Sequence, residues 1–273
     1  LLILLETIFQ TRHTHKNLLI GAFVIITQNE ATSMNAKTRI LPALLLAAAL
    51  LPASVRAATS GPYTYTVADN KATITEFDIS YSGAVSITNE LGGYPVTSIG
   101  DSAFFDCKSL TSVTIPASVT SIGDSAFYFC ESLTSITIPD SVTSIGDKAF
   151  YVCNSLTSAT IGNSVESIGD SAFYNTPVAS VTIGNSVTSI GVNAFRLCPL
   201  TTVTIPASVT SIGDSAFNGC ASLTNVYIQG NAPSIGSNPF GGTPATIYYT
   251  PNTVGWSDTF ADRPALLLAL YYD

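Results

Sequence analysis

The sequence has only two histidines, His13 and His15, one methionine, Met34, and one tryptophan, Trp256. Charged residues make up 10% of its 273 residues, against about 25% in an average soluble domain. No histidine follows residue 57. That removes Ser-His-Asp and Cys-His catalysis from the downstream chain, together with His-containing zinc and haem sites. Positive charge is also scarce: beyond residue 57 it comes only from Lys71, Lys108, Lys148, Arg196 and Arg263, and the formal net charge of the whole chain is −8. Nucleic acid requires clustered Lys and Arg, so it is excluded as a partner. No C-x-x-C metal pattern occurs. Beyond residue 57 no apolar run approaches the roughly 20 residues of a membrane helix, so no integral span is expected in a mature chain. An apolar fraction of 46% argues against disorder.

The segment beginning at Met34, MNAKTRILPALLLAAALLPASVRA, has the layout of a secretory signal. Lys37 and Arg39 form a positive region, Ile40 to Ala53 an apolar one, and Val55 and Ala57 the small residues of a cleavage site. The expected organisation is an upstream extension outside the fold (1–33), a signal peptide cleaved after Ala57 (34–57), an N-terminal β cap (58–95), repeats (96–243) and a C-terminal cap (244–273). The expected location is secreted or cell surface. The rival reading of the N-terminus is an anchor using Leu18–Thr27.

The downstream chain is dominated by a repeat. Ser-Ile-Gly recurs with its Ile at 99, 122, 145, 168, 190, 212 and 235, at spacings of 23, 23, 23, 22, 22 and 23. Phe follows each Ile by five residues, from Phe104 to Phe240. In each unit G-D-S-A-F reads as one short helical turn, N-capped for example by Asp124, that buries Ala126 and Phe127. L-T-S-V-T-I, as in Leu133 to Ile138, is β-branched and alternating and reads as a strand. Pro116, Pro139 and Pro206 end it, because proline cannot donate to a ladder. One unit cannot bury its own Ile, Phe, Leu and Val, but stacked units can. In the two 22-residue units a single proline, Pro177 or Pro199, replaces two residues. That deletion falls in a turn and should leave the strand register intact.

The strand segment also fits the L-x-x-L-x-L-x-x-N/C pattern, fully so from Leu223 to Asn231. Ser118, Ser141, Ser164, Ser186 and Ser208 stand at the Asn position of earlier units. Together with S-I-G-D-x-A-F-x-x-C, this resembles the BspA-type leucine-rich repeat family of surface proteins over about residues 95–245. The resemblance implies a leucine-rich repeat solenoid, mainly β. It would be a right-handed coil of about seven repeats with a parallel sheet on one face and short helical turns on the other, capped at both ends. It implies a secreted or surface location, adhesion to host or matrix proteins in some members, and no enzyme activity. The ends read as caps: Tyr63 to Val67 and Ala72 to Ile74 alternate as strands before a turn at Gly92 to Pro95. Ile247, Tyr248, Tyr249, Trp256 and Phe260 mark the other end.

Four columns of the repeat invite a chemical reading. Cys107, Cys130, Cys153, Cys198 and Cys220 form one, interrupted by Thr176. They are disulfides or a buried apolar ladder. Asp101, Asp124, Asp147, Asp170 and Asp214 form another, suited to capping, to Ca²⁺ or to a carboxylate pair of a hydrolase. Phe105, Tyr128, Tyr151 and Tyr174 form an aromatic column, for sugar stacking or for packing between repeats. The fourth comprises the residues flanking the central strand position, which should point outward. These are Ser112, Thr114, Ser135, Thr137, Ser158, Thr160, Ser180, Thr182, Thr202, Thr204, Asn225 and Tyr227. They make a nearly uncharged hydroxyl array suited to a protein, a glycan, a polymer or ice, or serving only as a solvated sheet surface. The expected function is an exported, non-catalytic module, monomeric and without cofactor, that binds or adheres to an extracellular protein or glycan through this array. The alternatives are a structural envelope or matrix protein without a ligand, and a hydrolase using the Asp column.

Overall fold

A computed structural model describes residues 57–268. The upstream extension, the signal segment up to residue 56 and the rival anchor lie outside the described residues. The first strands are β1 (Ala57–Ser60), β2 (Tyr63–Ala68) and β3 (Lys71–Phe77), paired antiparallel as two hairpins. They are followed by β4 (Gly83–Ser86), β5 (Glu90–Leu91) and β6 (Tyr94–Ile99). The turn joining β5 to β6 uses Gly92 and Gly93 at φ 60° and 81°, a region that favours glycine.

From there each coil contributes two strands. The longer ones are β7 (Leu110–Thr114), β9 (Ser135–Ile138), β11 (Ser158–Ile161), β13 (Ser180–Thr182), β15 (Thr202–Ile205) and β17 (Asn225–Ile228). Between them run the two-residue strands β8 (Ser121–Ile122), β10 (Ser144–Ile145), β12 (Ser167–Ile168), β14 (Ser189–Ile190), β16 (Ser211–Ile212) and β18 (Ser234–Ile235). The chain closes with β19 (Thr246–Tyr249), β20 (Thr259–Phe260) and β21 (Arg263–Leu267). The result is a leucine-rich repeat β-solenoid of about eight turns of stacked parallel strands.

Two ladders run along it. The short Ser-Ile strands form an unbroken parallel series from β6 to β18, which continues through β3 into the N-terminal hairpins. The glycine after each Ile permits this approach. A Cβ built on Gly169 would sit 2.5 Å from the Gly146 carbonyl carbon, so only a residue without Cβ fits between the coils. The longer strands form the second face, in three sheets: β4 with β7, β9 with β11 and β13, and β15 with β17, β19, β21 and β20. Register survives the first shortened unit, with Thr160 opposite Thr182. The face is interrupted between β13 and β15, across the second.

The expected helical turns are replaced by successive tight turns, and no helix occurs among the described residues. Two residues per coil adopt left-handed backbone, for example Ser125 (φ 55°) and Phe129 (φ 59°). Left-handed residues do not continue a right-handed helix. The N–H groups that a helix would use internally point to the next coil instead. Those of Ser125, Phe127 and Phe129 donate to the carbonyls of Asp147, Ala149 and Tyr151 at 2.7, 2.7 and 3.1 Å. The outer segment is therefore a third line of inter-coil hydrogen bonds.

The core is a set of stacked identical side chains. Phe77, Phe104, Phe127, Phe150, Phe173, Phe195, Phe217 and Phe240 form one fully buried stack with ring centroids 4.6–5.3 Å apart. Burying each ring is worth about 1.5–3 kcal/mol. Phe77 belongs to β3, so the hairpin segment supplies the first ring of the repeat stack and covers Phe104.

Candidate binding face

The alternation of the longer strands places the central Val, Ile or Ala inward and its two flanking residues outward. The outward residues align in two rows along the solenoid. Ser135, Ser158 and Ser180 lie opposite one another, as do Thr137, Thr160 and Thr182. Upstream, Ala84 faces Ser112 and Ser86 faces Thr114. Downstream, Thr202 faces Asn225 and Thr204 faces Tyr227, then Asn225 faces Thr246 and Tyr227 faces Tyr248. Most of these residues are exposed, while Ser112, Asn225, Tyr227, Thr246 and Tyr248 are half-buried. The rows contain no Lys, Arg, Asp or Glu.

These hydroxyls differ from those of the two Thr columns that flank the strand, and from those of Ser141 and Ser208, in their hydrogen bonding. On the flanks of the coils the hydroxyls bridge to the preceding coil: Thr157 donates to the Thr134 carbonyl at 3.2 Å, Thr143 to Thr120 at 3.2 Å and Ser141 to Val119 at 2.7 Å. Among the described residues, none of the ten Ser and Thr hydroxyls from Ser112 to Thr204 on the strand face has an intramolecular side-chain partner. Between β7 and β9, where the ladder is interrupted, the face opens into a cleft of about 360 Å³ lined by Ser112, Val113, Thr114, Ile115, Ser135, Thr137 and Pro139.

The Asp column is brought together, but its role differs from the cap expected for each residue's own turn. Each Oδ1 accepts the backbone N–H one coil further on: Asp101 from Asp124 at 2.9 Å, Asp124 from Asp147 at 2.8 Å and Asp147 from Asp170 at 2.7 Å. Val192 takes the column position after Asp170 and donates its N–H to that carboxylate at 2.7 Å. Among the described residues, no group of three or more His, Cys, Asp or Glu is disposed to hold a metal ion.

The five cysteines are buried and free. The Sγ of Cys130, Cys153, Cys198 and Cys220 each donates to a Phe carbonyl of an earlier coil at 3.1 Å. Thr176 lies in the same column, 3.4 Å from the Cys198 sulfur. Burial raises the thiol pKa of Cys107 and Cys198 to about 11 and that of Cys153 and Cys220 to about 12. The column is thus a buried thiol ladder. The aromatic column stacks ring on ring, Phe105–Tyr128 at 5.3 Å and Tyr128–Tyr151 and Tyr151–Tyr174 at 4.8 Å. The Arg196 guanidinium lies 6.0 Å from the centroid of the last ring.

No helix among the described residues is long and apolar enough to cross a membrane. The chain matches the model of the BspA type leucine rich repeat region in six copies, over residues 80–199 and 188–261. It is 32% identical to the leucine-rich repeat protein TpLRR of T. pallidum, with 68% of this chain and 89% of that one covered and a TM-score of 0.63. It is 35% identical to a leucine-rich cell surface protein of Faecalibacterium prausnitzii A2-165, over 67% of this chain and 57% of that one, with a TM-score of 0.51. No curated protein matches it. With the repeat spacing, the stacked fold and these likenesses in agreement, the chain belongs to the BspA-type leucine-rich repeat family.

Proposed function

We propose that this protein is an exported, non-catalytic binding module that engages an extracellular protein or glycan through its strand face. The observation that carries the reading is the pair of strand-face rows whose ten hydroxyls have no side-chain partner among the described residues, while the Thr columns on either flank donate to the preceding coil. Each such hydroxyl both donates and accepts, and the rows bear no charge. Single contacts of this kind are weak. Their repetition along a rigid face lets a polymeric or multivalent ligand gain by avidity. The description of the F. prausnitzii relative as a cell surface protein agrees with export.

The test is binding of the purified chain to arrays of glycans and extracellular matrix proteins, beside a Thr137→Lys/Thr160→Lys variant with unchanged circular dichroism. Saturable binding that this variant loses supports the reading. Binding that the variant keeps removes the strand face from consideration. Self-association without any ligand favours a structural role.

A further inference from the structure

The Thr row does not end as it begins. Thr182 and Thr204 occupy successive coils, and the next two positions of the row are Tyr227 and Tyr248. The two tyrosine rings stack at 5.2 Å with 23° between their planes. Because neighbouring strands follow one another along the solenoid axis, rings stacked between strands stand across that axis. One face of Tyr227 is therefore taken by Tyr248. The other looks back over Thr204, which is short and exposed. Tyr227 forms a wall at the end of a low hydroxyl lane. Beside its base lies the half-buried amide of Asn225, opposite Thr202.

The other exposed aromatic column offers no such step. Its inner rings, Tyr128 and Tyr151, have both faces stacked, and the last, Tyr174, has Arg196 near it. The first, Phe105, stacks on one face only but is followed by the ion-paired Asp106 and Lys108 and not by a hydroxyl lane.

We propose that the corner formed by Tyr227, Thr204, Thr202 and Asn225 is a subsite for a neutral pyranose ring of a glycan. This rests on the binding-face reading above and narrows it. A sugar ring presents an apolar C–H face and a rim of hydroxyls. An open aromatic face meets the first, and Thr hydroxyls and an amide, each able to donate and accept, meet the second. The absence of charge from the rows matches a neutral sugar and offers no partner to sialyl or sulfate groups. A protein partner would instead seek a broader apolar anchor with buried aromatic or Arg contacts. The apolar continuation of the row, through Tyr248 to the exposed Leu266, lies on the far side of Tyr227, and on the Thr204 side the ring's neighbours in the rows are polar.

The test uses the full chain and immobilised neutral oligosaccharides ending in β-linked glucose or galactose, with sialylated and sulfated counterparts alongside. Tyr227→Thr continues the lane with the residue that the preceding coils carry, so the fold is retained. It should weaken binding about tenfold, the scale of one lost ring contact. Tyr227→Phe keeps the ring face and should stay within about threefold of the parent. Equal binding by Tyr227→Thr, with loss in Thr137→Lys/Thr160→Lys, overturns the corner and leaves the binding face standing. Binding to matrix proteins but to no neutral oligosaccharide overturns the glycan assignment. Binding that survives all of these substitutions overturns both.

Discussion

The carboxylate of Asp124 accepts the backbone N–H of Asp147 at 2.8 Å, across 23 residues of sequence. A side chain placed to cap its own turn secures the start of the next coil instead. Asp147→Asn keeps an acceptor oxygen for the Asp170 N–H and should leave stability within about 0.5 kcal/mol, whereas Asp147→Ala should cost about 1 kcal/mol, as a lost cap does. Urea unfolding of the two variants measures the difference. Equal losses would mean that the carboxylate charge, and not its acceptor, holds the coil.

The thiol ladder predicts a dependence on alkaline pH. Burial raises Cys153 and Cys220 from the usual 9.0 to about 12. The native chain therefore keeps protons that the unfolded chain releases above pH 9. Stability should fall from about pH 9 towards pH 12, by up to about 1.4 kcal/mol per pH unit for each thiol. Cys153→Thr, which places the residue of Thr176 in the column, should flatten the slope of stability against pH. At neutral pH an aromatic disulfide reagent should find no reactive thiol in the folded chain and five after denaturation.

Phe150 lies between Phe127 and Phe173, with centroids at 5.2 and 5.1 Å. Phe150→Ala opens a cavity inside the stack and should cost about 3–5 kcal/mol. Phe150→Leu should cost less, because most of the volume remains. Because coils are coupled mainly to their neighbours, hydrogen exchange should rise first in the coils around residue 150.

Gly169→Ala should be poorly tolerated, because the new Cβ would meet the Gly146 carbonyl carbon and oxygen at 2.5 and 2.6 Å, and backbone cannot step aside cheaply. Gly93→Ala meets nothing within 4 Å, so only its φ of 81° opposes the change, a cost of about 1–2 kcal/mol. Thermal unfolding of the pair should rank them in that order.

The repeat of Ser-Ile-Gly, Phe and the alternating strand by itself determined that coils of 22 or 23 residues stack, that Ile, Phe and Val form inner columns, and that Ser112 to Thr204 face outward. Identical side chains at a constant spacing leave few other ways to bury them. It did not determine where the backbone hydrogen bonds go. An N-cap on a helical turn and an N–H donated to the following coil use the same G-D-S-A-F residues. Only the stacked structure, with left-handed Ser125 and Phe129, selects the second. The continuous Ser-Ile ladder, the entry of Phe77 into the ring stack and the interruptions beside β7 and β15 have the same origin. Each depends on a partner a full coil away or in a segment outside the repeat. Which hydroxyls stay unpaired was decided there too. Thr157 and Thr160 look alike in sequence, but only Thr157 stands where the preceding coil presents a carbonyl.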